Sequence, residues 1–208
     1  MPRPDTAGEI FVVDDDAAVR QTLSVVLSNE GYEVVSFADG AAFLAVAKTK
    51  SPACIILDVH IPGKSGIDIL KILNAQDYAA PIFIMSGSGD IPMAVEAIKN
   101  GALDFFQKPF KGSAIVKRVR EAIDVQTSRR AKPIASQAPH FPGREPLSRR
   151  EQEVLTCLMG GASNKEAARQ LGISFRTVEV HRARIMEKLG AKNATDLMRI
   201  VMSEGRGS

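Results

Sequence analysis

Residues 54–66, with the sequence CIILDVHIPGKSG, decide the fold of this chain. Residues 54–57 form a short apolar run, which is typical of a strand buried on both faces of a parallel sheet. Asp58 follows this run directly, and a carboxylate there faces the crevice where open α/β sheets bind their ligands. The proline and glycines of residues 61–66 favour turns that keep the backbone near that crevice. Taken alone, Asp58 is also compatible with an ordinary loop residue that ends a strand.

Four more apolar segments alternate with amphipathic patterns on either side of Asp58. Such alternation of strands and helices predicts an α/β domain with a doubly wound, five-stranded parallel sheet. The predicted strands are 10–13, 33–37, 54–57, 82–85 and 104–107. The first predicted helix begins at Ala17 and ends before residues 29–31. The other predicted helices cover 41–48, 67–73, 93–100 and 113–125.

Composition excludes several classes of protein. Of 208 residues, 45% are hydrophobic and 25% charged, ordinary values that exclude a largely disordered chain and allow two small domains. The apolar runs are too short for a membrane span, and residues 1–5 have no apolar segment behind them, so we expect no signal peptide. Cys54 and Cys157 lie in separate predicted domains, which favours free thiols and a cytoplasmic location.

Charge divides the chain into an acidic and a basic half. Residues 1–126 carry 12 Lys and Arg against 16 Asp and Glu, whereas residues 146–208 carry 11 against 7. This asymmetry suggests two roles, the second on nucleic acid. Between them, the stretch 127–146 has four prolines and clustered arginines. We therefore predict a domain over 1–126, a flexible linker over 127–145 and a second domain over 146–208.

The second domain shows four helical patterns, at 149–159, 165–171, 175–189 and 194–202. Each begins after a residue that favours the helix N-cap, and two glycines mark helix ends. The N-cap candidates are Ser148, Ser163, Ser174 and Asn193, and the stops are Gly160 and Gly190. The sequence therefore predicts a small all-α domain.

Polar residues follow four of the predicted strands and should meet at one edge of the sheet. Asp14 and Asp15 end the first strand, Asp58 the third and Ser86 the fourth, and Lys108 follows the fifth. Neighbouring carboxylates repel by roughly 4 kcal/mol per pair at about 4 Å with an effective dielectric near 20. Mg²⁺ would relieve that repulsion and suits phosphoryl chemistry, with Asp58 as the nucleophile. Ser86 could then hydrogen-bond the phosphoryl oxygens while Lys108 supplies positive charge.

Four motifs at this edge resemble the receiver domain of two-component response regulators over about residues 9–126. They are Val13-Asp14-Asp15-Asp16, Leu57-Asp58, Ser86-Gly87 and Lys108-Pro109-Phe110. The resemblance implies a flavodoxin-like receiver that a sensor histidine kinase phosphorylates on Asp58. It implies Mg²⁺ binding by Asp14, Asp15, Asp58 and the backbone carbonyl of His60. It also implies switch or phosphoryl-contact roles for Ser86, Phe105 and Lys108.

Two alternatives compete with this interpretation. A haloacid-dehalogenase-like phosphatase could use Asp14 and Asp16 as its nucleophile and acid. However, Ala18 stands where that family prefers threonine or valine, no acidic pair follows Lys108, and Asp58 would have no role. The second alternative is a DNA-binding protein whose receiver works without phosphate, which the complete set of acidic-site residues disfavours. We expect a regulator and not an enzyme.

The pattern of residues 175–189 favours a helix that enters the DNA major groove. One face is apolar, and the opposite face is small or polar with arginines at its edges. Lys165, in the first turn of the preceding helix, could bind phosphate, and the short turn 172–174 suits a helix-turn-helix. Periodicity alone fits a solvated helix of a small bundle equally well. The apolar face is Val178, Ile185 and Leu189; the candidate DNA-binding residues are Lys165, Arg176, Thr177, Glu179, Val180, Arg182, Ala183 and Arg184.

Three further motifs resemble the LuxR-type helix-turn-helix: LSRREQEVL at 147–155, NKEAA at 164–168 and RTVEVH at 176–181. Together with the receiver and GDIPMAVEA at 89–97, the whole chain resembles the FixJ branch of the NarL/FixJ response regulators. The resemblance implies a cytoplasmic transcription regulator that dimerises on phosphorylation and binds double-stranded DNA. RNA polymerase is a further candidate partner, and no membrane is involved.

The predicted dimer surface lies on the helix over 93–100, beside the switch positions Ser86 and Phe105. With Met93, Ala94, Ala97 and Ile98 facing the sheet, an outward patch remains. We predict that Ile91, Val95 and Lys99 form this patch and the dimer contact. A dimer through the first and last receiver helices is the competing arrangement.

Overall fold

The computed structural model describes residues 8–76, 78–87, 91–131 and 141–204. Within these ranges, the structure does not describe the side chains of Ile91, residues 129–131 and Glu204. The chain forms two compact units, Met1–Ser128 and Arg129–Ser208. Residues 89 and 90, which begin the motif GDIPMAVEA, and the N-terminal residues 1–5 lie outside the described residues.

The first unit is built on a five-stranded parallel sheet, which confirms the predicted fold class. The strand order is β2-β1-β3-β4-β5, so the direction of winding reverses between β1 and β3. The strands are β1 (Glu9–Val13), β2 (Glu33–Phe37), β3 (Cys54–Asp58), β4 (Ile82–Ser86) and β5 (Asp104–Gln107). The helices are α1 (Ala17–Ser28), α2 (Gly40–Ala47), α3 (Gly66–Leu73), α4 (Ile91–Lys99) and α5 (Gly112–Ala131).

Strand register places the acidic residues at that reversal point. Val13 pairs with Leu57, so the residues after them, Asp14 and Asp58, lie side by side. Asp58 in turn pairs with Met85, which brings Ser86 to the same edge. All residues of β3 and β4 are buried, as expected for strands covered by helices on both faces. The edge of this sheet is therefore where a ligand site is expected.

An aromatic cluster and a buried ion pair hold the layers of the first unit together. Phe11, Phe37 and Phe43 pack edge-to-face, with ring centroids 5.3–6.3 Å apart. On the other side of the sheet, Arg118 of α5 pairs with the fully buried Asp104 of β5. The Arg118 guanidinium also lies 5.4 Å from the centroid of the Phe106 ring. This partnership compensates the burial of the Asp104 charge and fixes α5 against β5.

The last helix of the first unit is longer than predicted. We expected it to end at 125 and the linker to begin at 127, but α5 continues to Ala131. The added residues include two arginines and an alanine, which favour helix, and the next proline comes only at Pro133. The first five residues of the predicted linker are therefore helical. Residues 132–140 lie outside the described part of the chain.

The second unit consists of α6 (Arg149–Met159), α7 (Asn164–Leu171), α8 (Phe175–Lys188) and α9 (Ala194–Glu204). Ser148, Ser163 and Ser174 cap α6, α7 and α8 as predicted, and the Asn193 side chain accepts a hydrogen bond from the Asp196 backbone. The apolar face of α8 is fully buried, with Val178, Ile185 and Leu189 at 0% exposure. No helix among the described residues is long and apolar enough to cross a membrane.

Candidate functional site

Three aspartates and one lysine meet at the carboxyl edge of the sheet. Lys108 Nζ donates hydrogen bonds to Asp14 Oδ2 at 2.8 Å and to Asp58 Oδ2 at 2.9 Å. The Asp14 side chain is fully buried, that of Asp58 is 7% exposed, and Asp15 is exposed. One oxygen from each of Asp14, Asp15 and Asp58 lies within 4.8 Å of the others. The structure thus brings together the acidic residues that the sequence placed at this edge.

Burial and pairing compete at this cluster. Burial raises the pKa of Asp14, although hydrogen bonds from Lys108 and from the Asp16 backbone oppose the rise. For Lys108, burial lowers the pKa, but the hydrogen bonds to Asp14 and Asp58 outweigh burial and the net pKa is raised. The ammonium therefore stays charged at neutral pH and offsets the repulsion between the two buried carboxylates.

Arg20 braces the loop that carries the first two aspartates. Its Nη1 donates to the carbonyl oxygens of Asp14, at 2.7 Å, and Asp15, at 2.9 Å. The sequence did not point to Arg20, because a helix arginine six residues after Asp14 has many other possible partners. Asp16 turns to its own helix instead, accepting a hydrogen bond from the Ala18 backbone at 2.8 Å. Asp16 is thus a helix cap, which argues against the nucleophile and acid pair of the phosphatase alternative.

The donor set of the crevice fits a hard divalent cation. Three carboxylates offer oxygen ligands, which Mg²⁺ prefers, and their combined negative charge exceeds what Lys108 neutralises. The structure places His60 as an exposed residue two positions after Asp58. The role of its backbone carbonyl as a ligand stays a prediction.

The chain passes very close to Asp58 at the start of α3. A Cβ on Gly66 would lie 2.4 Å from the Asp58 carbonyl oxygen, so this position requires glycine. The Gly66 backbone donates to the Val59 carbonyl at 2.8 Å. The predicted close approach of this turn to the crevice is therefore present.

The predicted switch residues lie on or directly after β4 and β5, the last two strands of the sheet. Ser86 is 2% exposed, and its carbonyl accepts a hydrogen bond from the Lys108 backbone at 2.7 Å. Phe105 lies on β5 opposite Ile84 and is half-buried. A backbone hydrogen bond thus joins Ser86 and Lys108 directly, so a movement of one residue is transmitted to the other.

The predicted DNA-binding residues of α7 and α8 divide by exposure. Four of the candidate residues are exposed: Lys165, Arg176, Glu179 and Ala183. Val180, Arg182 and Arg184 are half-buried. Arg184 is also ion-paired, with its Nε 3.5 Å from Glu151 Oε1.

Thr177 does not lie where we predicted. It has 0% exposure, and its hydroxyl lies 2.9 Å from that of Ser174, the N-cap of α8. A residue three positions after the N-cap faces back toward the cap, which periodicity of apolar residues does not reveal. A side chain without exposed surface cannot contact DNA directly, so Thr177 is a capping partner in this structure.

The predicted dimer patch is partly exposed. Ala94, Ala97 and Ile98 are buried against the sheet as expected, while Met93 is half-buried. Lys99 is exposed and Val95 half-buried, and the Ile91 side chain lies outside the described residues. The assignment of the patch to a dimer stays a prediction.

A buried histidine should make the second unit sensitive to acid. His181 of α8 is 3% exposed, and burial lowers its pKa to about 4. Nearby Glu151 favours its protonation, whereas Arg150 and Arg184 oppose it. Since the unfolded chain binds this proton near its ordinary pKa of about 6.5, the unfolded state gains protons first as the pH falls. Lowering the pH from about 7 to about 5 should remove about 2 kcal/mol of stability from this unit.

Urea unfolding followed by NMR signals of α8 measures this effect. His181→Gln should flatten the pH dependence between about 7 and about 5, while His60→Gln, in the other unit, should leave it unchanged. Equal pH slopes for wild type and His181→Gln would contradict the prediction.

Comparisons with known proteins match both units. Residues 10–120 match the response regulator receiver domain, and residues 145–201 match the bacterial regulatory proteins of the luxR family. The transcriptional regulatory protein FixJ of Bradyrhizobium diazoefficiens is 42% identical over 204 residues, covering 96% of this chain and 97% of its own length. The response regulator protein TodT of Pseudomonas putida is 40% identical, covering 94% of this chain and 86% of its own.

The chain is also similar to solved structures of response regulators. The crystal structure of full-length FixJ from B. japonicum has 39% identity and a TM-score of 0.55, covering 98% of this chain and 100% of that one. The structure of the response regulator StyR has 36% identity and a TM-score of 0.52, covering 93% and 98%.

Proposed function

The chain belongs to the FixJ-like two-component response regulators, with a receiver domain and a LuxR-type DNA-binding domain, and from this premise we propose its mechanism. A sensor histidine kinase phosphorylates Asp58, and the phosphorylated chain dimerises and binds double-stranded DNA to control transcription. The observation that carries the proposal is the position of the Lys108 ammonium, 2.9 Å from Asp58 Oδ2 and 2.8 Å from Asp14 Oδ2.

Phosphoryl transfer to Asp58 needs a nucleophile and compensation of negative charge. An Asp58 oxygen attacks the phosphorus of a phosphohistidine, the P–O bond forms as the P–N bond breaks, and the histidine nitrogen takes up a proton. A bound Mg²⁺, held by Asp14, Asp15, Asp58 and the His60 carbonyl, would neutralise charge on the phosphoryl oxygens. Lys108 stays protonated and stabilises the same oxygens from its place between the carboxylates.

Phosphorylation can shift the receiver between two states because Ser86 and Lys108 both form hydrogen bonds to the phosphoryl group on Asp58. Moving an equilibrium from 1:99 to 99:1 takes about 5.5 kcal/mol. Two new charge-assisted hydrogen bonds to the phosphoryl group, at roughly 1.5–3 kcal/mol each, could supply most of that free energy. The backbone bond from Lys108 to the Ser86 carbonyl couples the two residues across β4 and β5.

DNA binding is assigned to α8, which we call the recognition helix. Its apolar face is buried while Arg176, Glu179 and Ala183 are exposed on the opposite side. A small residue such as Ala183 permits close approach to base edges in the major groove. Lys165 is exposed in the first turn of α7, and we assign it a phosphate contact. We assign the cytoplasm as the location and RNA polymerase as a candidate partner, as for a transcriptional regulator.

Phosphorylation should drive a receiver dimer through α4 and β5. A symmetric contact would pair two recognition helices and match a two-fold operator with half-sites one helical turn apart. Val95→Asp should abolish that dimer, because an unpaired charge would be buried in the contact. Sedimentation of the full-length chain with Mg²⁺ and acetyl phosphate measures the association.

Val25→Asp is the matched control, since Val25 is 55% exposed on α1, which belongs to the competing interface. We expect the Val25 variant to dimerise like wild type. A dimer that survives Val95→Asp but not Val25→Asp would assign dimerisation to the first and last receiver helices instead.

A further inference from the structure

We infer that Glu151 positions the recognition helix, and that Arg184 and Lys188 act on Glu151 and not on DNA phosphates. The inference rests on the proposed function, because it concerns how α8 is presented to DNA. It assigns a role to a residue of α6 that contacts no base, and it changes the role that the sequence predicted for Arg184.

Glu151 is a fully buried carboxylate at the start of α6. It has 0% exposure, and its Oε2 accepts a hydrogen bond from the Ser148 backbone at 2.7 Å, completing a capping box. The capping bond fixes the side chain relative to the first turn of α6. A buried charge is costly without partners, so the remaining contacts of this carboxylate are important for its stability.

Those remaining contacts come from the second half of the recognition helix. Lys188 Nζ donates to Glu151 Oε2 at 2.9 Å, and Arg184 Nε lies 3.5 Å from Oε1. Arg184 and Lys188 are one helical turn apart, so both point to the same side of α8. Their side chains are 21% and 9% exposed. Both cations are therefore directed at a carboxylate inside the unit, and we assign them to that carboxylate instead of to DNA phosphates.

The end of α8 is also tied to the segment before α6. Lys188 Nζ donates to the Pro146 carbonyl at 3.1 Å and lies 3.1 Å from Glu145 Oε1. Arg144 donates a hydrogen bond to the backbone carbonyl of Leu189, the C-cap residue of α8. Arg144 and Glu145 fall at the end of the predicted linker, yet they contact the second unit. The C-terminal half of α8 is thus held by α6 and by the segment in front of it.

The charge balance shows that Glu151 is the centre of this arrangement. Burial would raise the pKa of Glu151, but the hydrogen bonds from Lys188 and Ser148 outweigh burial and the net pKa is lowered. Neutralising Glu151 would leave the buried Lys188 with Glu145, whose side chain is 65% exposed, as its remaining carboxylate partner among the described residues. The link between α6 and the second half of α8 would then be weakened, and α8 would be held less firmly in its position.

The other two arginines of α8 differ from Arg184. Arg176 is exposed and Arg182 half-buried, and neither is ion-paired with another described residue. Both remain available for phosphate. One helix thus carries an arginine that holds the helix in place, Arg184, and two that can contact DNA phosphates, Arg176 and Arg182. The salt dependence of DNA binding distinguishes these two roles, because it depends on the number of phosphate contacts.

The first experiment compares two glutamates of α6 in full-length chain treated with acetyl phosphate. The probes are a duplex selected from a random pool by the wild type and a scrambled duplex of the same length. Glu151→Gln should weaken binding to the selected duplex about tenfold and leave binding to the scrambled duplex within about twofold, because base contacts depend on helix position. Glu153→Gln, on the same helix and paired with Arg149 and Arg150, should change neither.

The second experiment measures the slope of log affinity against log salt concentration. Arg182→Met should lower the slope by about one, because one phosphate contact is lost. Arg184→Met and Lys188→Met should weaken selective binding while leaving that slope unchanged. Measurements at a temperature where circular dichroism shows every variant folded separate positioning from simple loss of stability.

The results have distinct meanings. A folded Glu151→Gln that selects its duplex as well as wild type overturns the inference, and so does an Arg184→Met whose salt slope falls by about one. If Glu151→Gln does not fold, the salt slopes of Arg184→Met and Lys188→Met test the inference instead. A wild type that binds no duplex overturns the proposed function, and this inference with it; an unaffected variant of a DNA-binding wild type overturns this inference alone.

Discussion

Asp58→Asn should take up no phosphoryl group from acetyl phosphate, whereas the wild type should gain one group per chain. The carboxamide is a poor nucleophile and carries no charge, so it forms no ion pair with Lys108, which lies 2.9 Å from Asp58 Oδ2 in the wild type. We expect a loss of at least about a hundredfold in the rate, since the chemistry depends on this one group. Intact-mass measurement after incubation with Mg²⁺ reports the result, and EDTA should abolish uptake by the wild type.

Asp39→Asn is the matched control for this substitution. Asp39 is an exposed aspartate that caps α2, and asparagine caps a helix about equally well. This variant should be phosphorylated like wild type. If Asp58→Asn still gained a full equivalent of acid-stable, base-labile phosphate, the acceptor would lie elsewhere.

Ala183→Glu should abolish selective DNA binding. Ala183 is exposed on the face of α8 that also carries Arg176 and Glu179. A glutamate there adds length and negative charge where the helix approaches bases and phosphates, and we expect an affinity loss of at least about a hundredfold. Electrophoretic mobility shift with the selected duplex measures the loss.

Thr156→Glu places the same new charge on an exposed position of α6 in the same unit. It should retain most of the wild-type affinity, because α6 is not the helix assigned to the groove. If Ala183→Glu bound the selected duplex as tightly as wild type, α8 would not lie in the major groove.

The sequence was sufficient for the sheet and for the edge where the acidic residues meet. Short apolar runs alternate with helical periods, and this pattern specifies parallel strands whose ends share one edge. Asp14 and Asp58 therefore belong together, although 44 positions separate them in the sequence. The structure adds the lysine bridge between them, whose geometry depends on the register of β1, β3 and β5.

Other features depend on contacts that no local pattern encodes. Ser148 and Glu151 have the spacing of a capping box, but nothing nearby in the sequence indicates that Lys188 completes the set 37 residues later. The sequence made Arg184 a candidate DNA-binding residue because its ion-pair partner lies on another helix, where periodicity does not reveal it. The length of α5 was underestimated because arginines near prolines resemble a linker, although the helix continues until Ala131.

The central claim is that phosphorylation of Asp58 controls DNA binding, and one measurement tests it most directly. Affinity for the selected duplex is measured for full-length wild type and Asp58→Asn, each with Mg²⁺, in the presence and absence of acetyl phosphate. We predict that acetyl phosphate raises the wild-type affinity at least about tenfold, about 1.4 kcal/mol, and leaves the variant unchanged. Equal affinity of the wild type under both conditions, or an equal increase in Asp58→Asn, would contradict the claim.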